Sequence, residues 1–102
     1  MDREKVISKI KSTVLQIDQG ADIILYGSRA RGDYSTDSDW DFLILTNLPE
    51  NRKTKDLFRN KIFDIELELE EPISTIIHNK YIWTEYEVTP LYQIISKEGV
   101  RI

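Results

Sequence analysis

The sequence contains no cysteine, and this absence excludes both a disulfide framework and a thiolate metal site. It also lacks any apolar run of about 18 residues, the length a membrane-spanning helix needs. The first residues, Met1 to Lys5, are mostly charged and lead into an amphipathic pattern, whereas a signal peptide would continue into an apolar core. These features favour a cytoplasmic protein without a membrane partner.

An excess of positive charge is also missing. The chain has 14 Lys and Arg against 18 Asp and Glu, which gives a net charge of −4. Non-specific binding to DNA or RNA depends on a basic patch, so we do not expect it here. A small nucleotide is not excluded, because metal ions and a few arginines can offset local charge. The 102 residues predict a single domain, 1–102, with a modest core.

One motif stands out: Gly27-Ser28, ten further residues, then Asp39-Trp40-Asp41. Apolar segments flank both parts, as expected for two buried strands. Alternate residues of a strand face the same side, so Asp39 and Asp41 share a face with Cα atoms about 6.6 Å apart. Two such carboxylates can converge on one ion or bridge a pair of ions. An all-oxygen ligand set favours Mg²⁺ or Mn²⁺ over zinc.

The Gly-Ser turn has the composition of a phosphate-binding turn. Gly27 lacks a Cβ, which lets the backbone come close to a phosphate. Ser28 offers a hydroxyl and, at the start of a short helix, a free N–H. Arg29 and Arg31 lie beside the turn, and a guanidinium fork suits phosphate oxygens. For each arginine the pattern leaves open a phosphate contact or a solvated surface charge.

The remaining periodicities predict a small mixed β-sheet flanked by helices, in the α/β (α+β) class. Helical spacing is clear in the first segment, and Asn47-Leu48-Pro49 ends the second strand. Residues 53–69 are ambiguous, because the apolar positions fit a helix while the end of the segment, 63–70, also alternates like a strand. We favour the helix. The expected elements are helix 3–18, strand 22–27, strand 39–46, helix 53–69, strand 72–77 and short helices at 80–87 and 90–98.

The stretch from Gly27 to Asp41 resembles the signature of the DNA polymerase β-type nucleotidyltransferase superfamily. The short length resembles its minimal nucleotidyltransferases (MNT). The resemblance implies transfer of a nucleoside monophosphate from an NTP, in particular AMP from ATP, to a hydroxyl acceptor. It also implies that Gly27 and Ser28 hold the triphosphate and that Asp39 and Asp41 hold Mg²⁺.

The superfamily usually places a third carboxylate on the following strand, and the preferred strand 72–77 contains none. If 63–70 were a strand, Glu66 or Glu68 could fill the role, and Glu68 is our choice as the third catalytic acid. If 63–70 is helical, only Glu70 or Glu71 remain, at the entrance of the strand. A solvated acidic face is the alternative explanation of this cluster.

Three functions compete. The first is an active nucleotidyltransferase whose acceptor is a partner protein, because MNT resemblance implies a helical HEPN-type toxin partner and a toxin–antitoxin setting. The second is an inactive module of the same fold that binds and neutralises such a partner. The third is modification of a small molecule, which would need a cleft such as a homo-oligomer interface provides, since the chain leaves little room for a second domain.

Overall fold

The computed structural model describes residues 3–102, so Met1 and Asp2 of the predicted domain 1–102 lie outside the described residues. The order of elements follows the prediction closely. In chain order they are α1 (Arg3–Ile17), β1 (Asp22–Tyr26), α2 (Ser28–Arg31), β2 (Trp40–Thr46), α3 (Arg52–Leu69), β3 (Ile73–Asn79), α4 (Lys80–Trp83), a 3-10 turn (Thr84–Tyr86), α5 (Pro90–Glu98) and β4 (Val100–Arg101).

The strands form one mixed sheet in the order β3-β2-β1-β4. Strand β1 is antiparallel to both neighbours, β2 and β4, whereas β2 and β3 are parallel. A parallel pair needs a long crossover, which α3 supplies. This arrangement brings the end of β1 next to the starts of β2 and β3. The predicted mixed sheet flanked by helices is therefore confirmed, and only the two-residue strand β4 was not expected.

Segment 53–69 is helical, as preferred, and the strand alternative for 63–70 is wrong. Asn51 caps the start of α3, since its side chain accepts a hydrogen bond from the backbone N–H of Thr54 at 2.9 Å. The buried apolar positions are those of the helical spacing: Phe58, Ile62, Ile65 and Leu69. A strand would have buried Leu67 with Ile65, yet Leu67 is 62% exposed. Burial of one helical face therefore decides the structure of this segment.

The sheet carries apolar packing on both faces. On one face, Trp40, Phe42 and Ile44 of β2 join a cluster with buried residues of α1 and α3. On the other, Leu43 packs with Trp83 and Ile95, which come from α4 and α5. Successive strand residues point to opposite faces, so Asp41 lies on the face of Leu43, the side of α5. None of the helices within residues 3–102 combines the length and the apolar character needed to cross a membrane.

Candidate active site

The predicted turn lies between β1 and α2. The carbonyl oxygen of Gly27 accepts hydrogen bonds from the backbone N–H groups of Ala30 and Arg31, both at 3.0 Å. The first N–H groups of a helix have no partner within the helix, so that of Ser28 is available at the site. The turn ends at Gly32, which adopts a left-handed conformation with φ 93°.

Gly27 has two structural reasons to be glycine besides the expected approach of a phosphate. Its φ of 77° and ψ of −161° fall in a region that is essentially restricted to glycine. A Cβ at this position would also overlap Oδ2 of Asp41 and lie 3.3 Å from its Cγ. The carboxylate of Asp41 therefore lies against the backbone of the turn, and the absent side chain makes room for it.

The two aspartates come together on the site face of β2. Asp41 pairs across the sheet with Tyr26, the last residue of β1, and Asp39 directly precedes the strand. Burial, the charge of Asp39 and the charge of Glu98 raise the pKa of Asp41 in spite of nearby Arg31. Burial and the charge of Asp41 in turn raise the pKa of Tyr26 to about 12. The site is thus rich in negative charge that a cation would relieve.

Glu98 is a site residue that the sequence analysis missed. It lies at the C-terminal end of α5, 71 positions from Gly27. Its Oε2 accepts a hydrogen bond from Nη1 of Arg31 at 2.8 Å, and its Oε1 accepts a longer one from the N–H of Gly27 at 3.4 Å. The sequence of one chain does not show that the end of α5 contacts the turn, so it could not identify Glu98 as a site residue.

The two arginines beside the turn have different surroundings. Arg31 pairs with both Glu98 and Asp33, the latter at 3.2 Å, and its side chain is still half-exposed. The guanidinium carbon of Arg29 lies 4.4 Å from the ring centroids of both Tyr34 and Trp40. Arg29 also donates to the carbonyl oxygen of Ser38, and its side chain is only 7% exposed. The structure therefore brings Arg31 to the site and does not bring Arg29, which anchors the loop before Asp39.

A serine of β3, where the resemblance implies a third carboxylate, lies beside the aspartates. Ser74 is the β3 partner of Asp41 in the parallel register, and its hydroxyl donates to Oδ2 of Asp39 at 3.2 Å. Ser74 is therefore a β3 residue whose side chain contacts one of the two aspartates.

The predicted third acid, Glu68, is not brought to the site. Its carboxylate lies 3.0 Å from Nζ of Lys9. The choice of Glu68 depended on a strand at 63–70, and this segment is part of the helix α3. Glu66 instead accepts the backbone N–H of Ile73 at 2.7 Å. Glu70 ends α3 in a left-handed conformation, and Glu71 accepts from the indole N–H of Trp40 at 3.2 Å.

The donor set suits a hard divalent cation. Asp39, Asp41 and the hydroxyl of Ser74 offer only oxygen, the ligand type of Mg²⁺ and Mn²⁺. Among residues 3–102, no group of three or more Asp, Glu, His or Cys side chains could hold a metal ion. Two carboxylates are still compatible with Mg²⁺, which commonly takes one or two of them and completes its shell with substrate phosphates and water.

Comparisons with known proteins agree with this geometry. Residues 7–102 match the nucleotidyltransferase domain family. A protein of Methanocaldococcus jannaschii, provisionally named as a protein adenylyltransferase, is 38% identical over 82 residues, which cover 80% of this chain and 82% of that protein. The chain therefore belongs to the nucleotidyltransferase family, and membership implies a nucleoside triphosphate substrate.

Proposed function

We propose that this chain is a single-domain, cytoplasmic, Mg²⁺-dependent nucleotidyltransferase that moves AMP from ATP to a hydroxyl group of a partner protein. The observation that carries the proposal is the pair of neighbouring carboxylates, Asp39 and Asp41, of which Asp41 packs against the backbone of Gly27. The name of the Methanocaldococcus jannaschii relative supports both adenylyl transfer and a protein acceptor. A helical HEPN-type partner in a toxin–antitoxin pair is the setting that MNT resemblance favours.

Each site residue has a distinct role in the proposed reaction. Asp39 and Asp41 hold Mg²⁺ (or Mn²⁺), which supplies charge stabilisation at the phosphate oxygens when bound. Gly27 and Ser28 donate to the β- and γ-phosphates, and Arg31 neutralises their charge. The acceptor oxygen forms a bond to the α-phosphorus as the bond to the β-phosphate oxygen breaks, so pyrophosphate leaves and the acceptor proton goes to solvent. Orientation of the two reactants is the main contribution of the protein.

A groove at the edge of the sheet lies on the side of α3, opposite to the face that carries Asp41. It has a volume of about 300 Å³ and lies between α3 and the start of β3. Ser74 belongs to its wall and donates to Asp39, so an acceptor bound there would have to reach the aspartates around this edge of the sheet. The lining combines apolar and charged groups: Arg59, Ile62, Phe63, Glu66, Ile73, Ser74 and Thr75.

A second function, the inactive binding module, is favoured by one observation, which is Ser74. A serine hydroxyl is not a base at neutral pH, so β3 supplies no carboxylate to accept the acceptor proton. A positioned base typically contributes 10²–10⁴-fold, and we therefore expect slow transfer if the enzyme is active.

Calorimetric titration with ATP tests the proposed site. We expect binding that requires Mg²⁺ and is abolished by Asp39→Asn/Asp41→Asn. Asp37→Asn/Asp64→Asn removes the same charge at two exposed positions and is the matched control. Equal binding by the site variant and the control would refute the assignment of the aspartates.

Transfer itself is tested with ATP labelled in the α-phosphate, Mg²⁺ and the protein encoded by the neighbouring gene. Label on the partner that disappears in Asp39→Asn/Asp41→Asn indicates the enzyme. Tight binding of the partner without any label would favour the inactive module. Glu68→Gln should transfer like the parent, because its carboxylate pairs with Lys9 away from the site.

A further inference from the structure

The backbone around Glu98 is fixed on both sides, so the position of its carboxylate is well defined. The N–H of Gly99 donates to the carbonyl oxygen of Ile95 at 2.8 Å and closes α5. Directly after it, β4 pairs with β1, and the N–H of Ile102 donates to the carbonyl oxygen of Ile23 at 3.0 Å. The side chain of Glu98 is only 15% exposed. The backbone contacts that follow Glu98 and the burial of its side chain therefore hold its carboxylate at the turn.

The donors that Glu98 uses are those that a phosphate needs. A backbone N–H in a glycine turn and a guanidinium bind carboxylate and phosphate oxygens by the same charge-assisted hydrogen bonds. Glu98 takes one of each, from Gly27 at 3.4 Å and from Arg31 at 2.8 Å. A triphosphate at this turn must displace the carboxylate or share these donors with it. The contact to Gly27 is long, which makes displacement feasible.

The local charge disfavours a bare anion. Asp41 and Glu98 contact the turn, and the charge of Asp39 acts on Asp41. Arg31 is shared between Glu98 and Asp33. A triphosphate without metal would add its own negative charge to this group. Divalent cations held by the aspartates would offset this negative charge. Displacement of the Glu98 carboxylate by a phosphate would then require less free energy.

We infer that Glu98 is a specificity-determining residue: its carboxylate stands in for a phosphate at the Gly27-Ser28 turn and thereby restricts the site to triphosphates that arrive with a divalent cation. The inference rests on the proposed function, because it assumes that the turn binds the triphosphate. It predicts that removal of one charge, without a change of shape, relaxes the requirement for metal.

Inorganic tripolyphosphate is the probe, because it carries no base or sugar, and its binding is measured by calorimetry in excess EDTA and again with Mg²⁺. The parent should bind it much more weakly in EDTA than with Mg²⁺. Glu98→Gln should bind it in EDTA about tenfold more tightly than the parent, as expected when one like charge is removed from a partly shielded site. Glu98→Asp keeps the charge and should keep the requirement for metal. Glu85→Gln makes the same substitution at an exposed position and should behave like the parent.

Gain of binding in EDTA by Glu98→Gln, with no gain by the two other variants, supports the inference. Unchanged or weaker binding by Glu98→Gln under both conditions would overturn it and would make Glu98 a support for Arg31. No binding of tripolyphosphate to any variant would overturn it as well. The proposed function fails separately, if Asp39→Asn/Asp41→Asn binds ATP and Mg²⁺ as its control does. If Glu98→Gln fails to fold, Glu98→Asp still tests the inference. Its shorter side chain should weaken the contact to Gly27, so tripolyphosphate should bind more tightly than to the parent when Mg²⁺ is present.

Discussion

Substitution of Gly27 by alanine separates the two structural reasons for glycine at the turn. The backbone at φ 77° and ψ −161° should cost a non-glycine residue about 1–3 kcal/mol. The added Cβ also displaces the carboxylate of Asp41, which must leave its place against the turn. Residues in contact usually show coupling energies of about 0.5–3 kcal/mol in double-mutant cycles. For Gly27→Ala and Asp41 we expect about 1 kcal/mol, because the carboxylate of Asp41 can rotate away from the added Cβ. Gly27→Ala should therefore destabilise the fold by about 2–4 kcal/mol.

A double-mutant cycle measures the two contributions separately. Urea unfolding of the parent, Gly27→Ala, Asp41→Ala and the double variant gives the four free energies of unfolding. In the Asp41→Ala background the collision is gone, so Gly27→Ala should cost only the backbone strain, about 1 kcal/mol less than in the parent. Equal cost in both backgrounds would refute the collision, and a total cost below about 0.5 kcal/mol would refute the strain as well.

Three further perturbations test individual contacts. Asp18→Ala removes the acceptor of the buried Thr46 hydroxyl, which lies 2.6 Å away, and should cost about 1–3 kcal/mol in urea unfolding at neutral pH. Burial raises the pKa of Asp18, but its hydrogen bonds outweigh burial and lower the pKa below the ordinary value of 3.8. The cost of Asp18→Ala should therefore be present above pH 3.8 and shrink below that pH. A cost that does not depend on pH would contradict the assignment. Arg29→Ala should accelerate amide hydrogen exchange in residues 33–39 and change Trp40 fluorescence, and full rescue by Arg29→Lys would show that the planar guanidinium is not needed. Ser74→Asp should strengthen Mg²⁺-dependent ATP binding about tenfold in calorimetry, whereas weaker binding would show that Ser74 does not occupy a metal-facing position.

The fold was largely predictable because its apolar patterns are long. Segment 53–69 shows why: four buried positions at helical spacing outweigh a short alternation at its end, and Leu67 on the outer face confirms the period. Strand β4 could not be predicted in the same way. Two residues are too few to show a period, and Val100 and Arg101 are both exposed, so only their pairing with β1 identifies them as a strand.

The placement of the candidate site residues was predictable where they are close in sequence. The spacing from Gly27 to Asp41 fixes the turn, and strand alternation places both aspartates on one face. Roles that depend on distant packing were not accessible, such as the contact of Glu98 with the turn. The difference between Arg29 and Arg31 has the same origin, since only the rings of Tyr34 and Trp40 decide which guanidinium is covered.

The anchor formed by Arg29 has a consequence for nucleotide affinity. Seven residues, 33–39, connect Gly32 to the first residue of β2, and Arg29 holds this loop through the ring of Tyr34 and the carbonyl oxygen of Ser38. Fixing a residue costs about 1 kcal/mol or more in conformational entropy, so a mobile loop of this length would cost on the order of 7 kcal/mol when it became ordered. At 1.4 kcal/mol per factor of ten, that loss would weaken Kd by about five orders of magnitude. Because Arg29 already holds the loop in the folded chain, the proposed role of Asp39 does not require the loop to become ordered when a nucleotide binds.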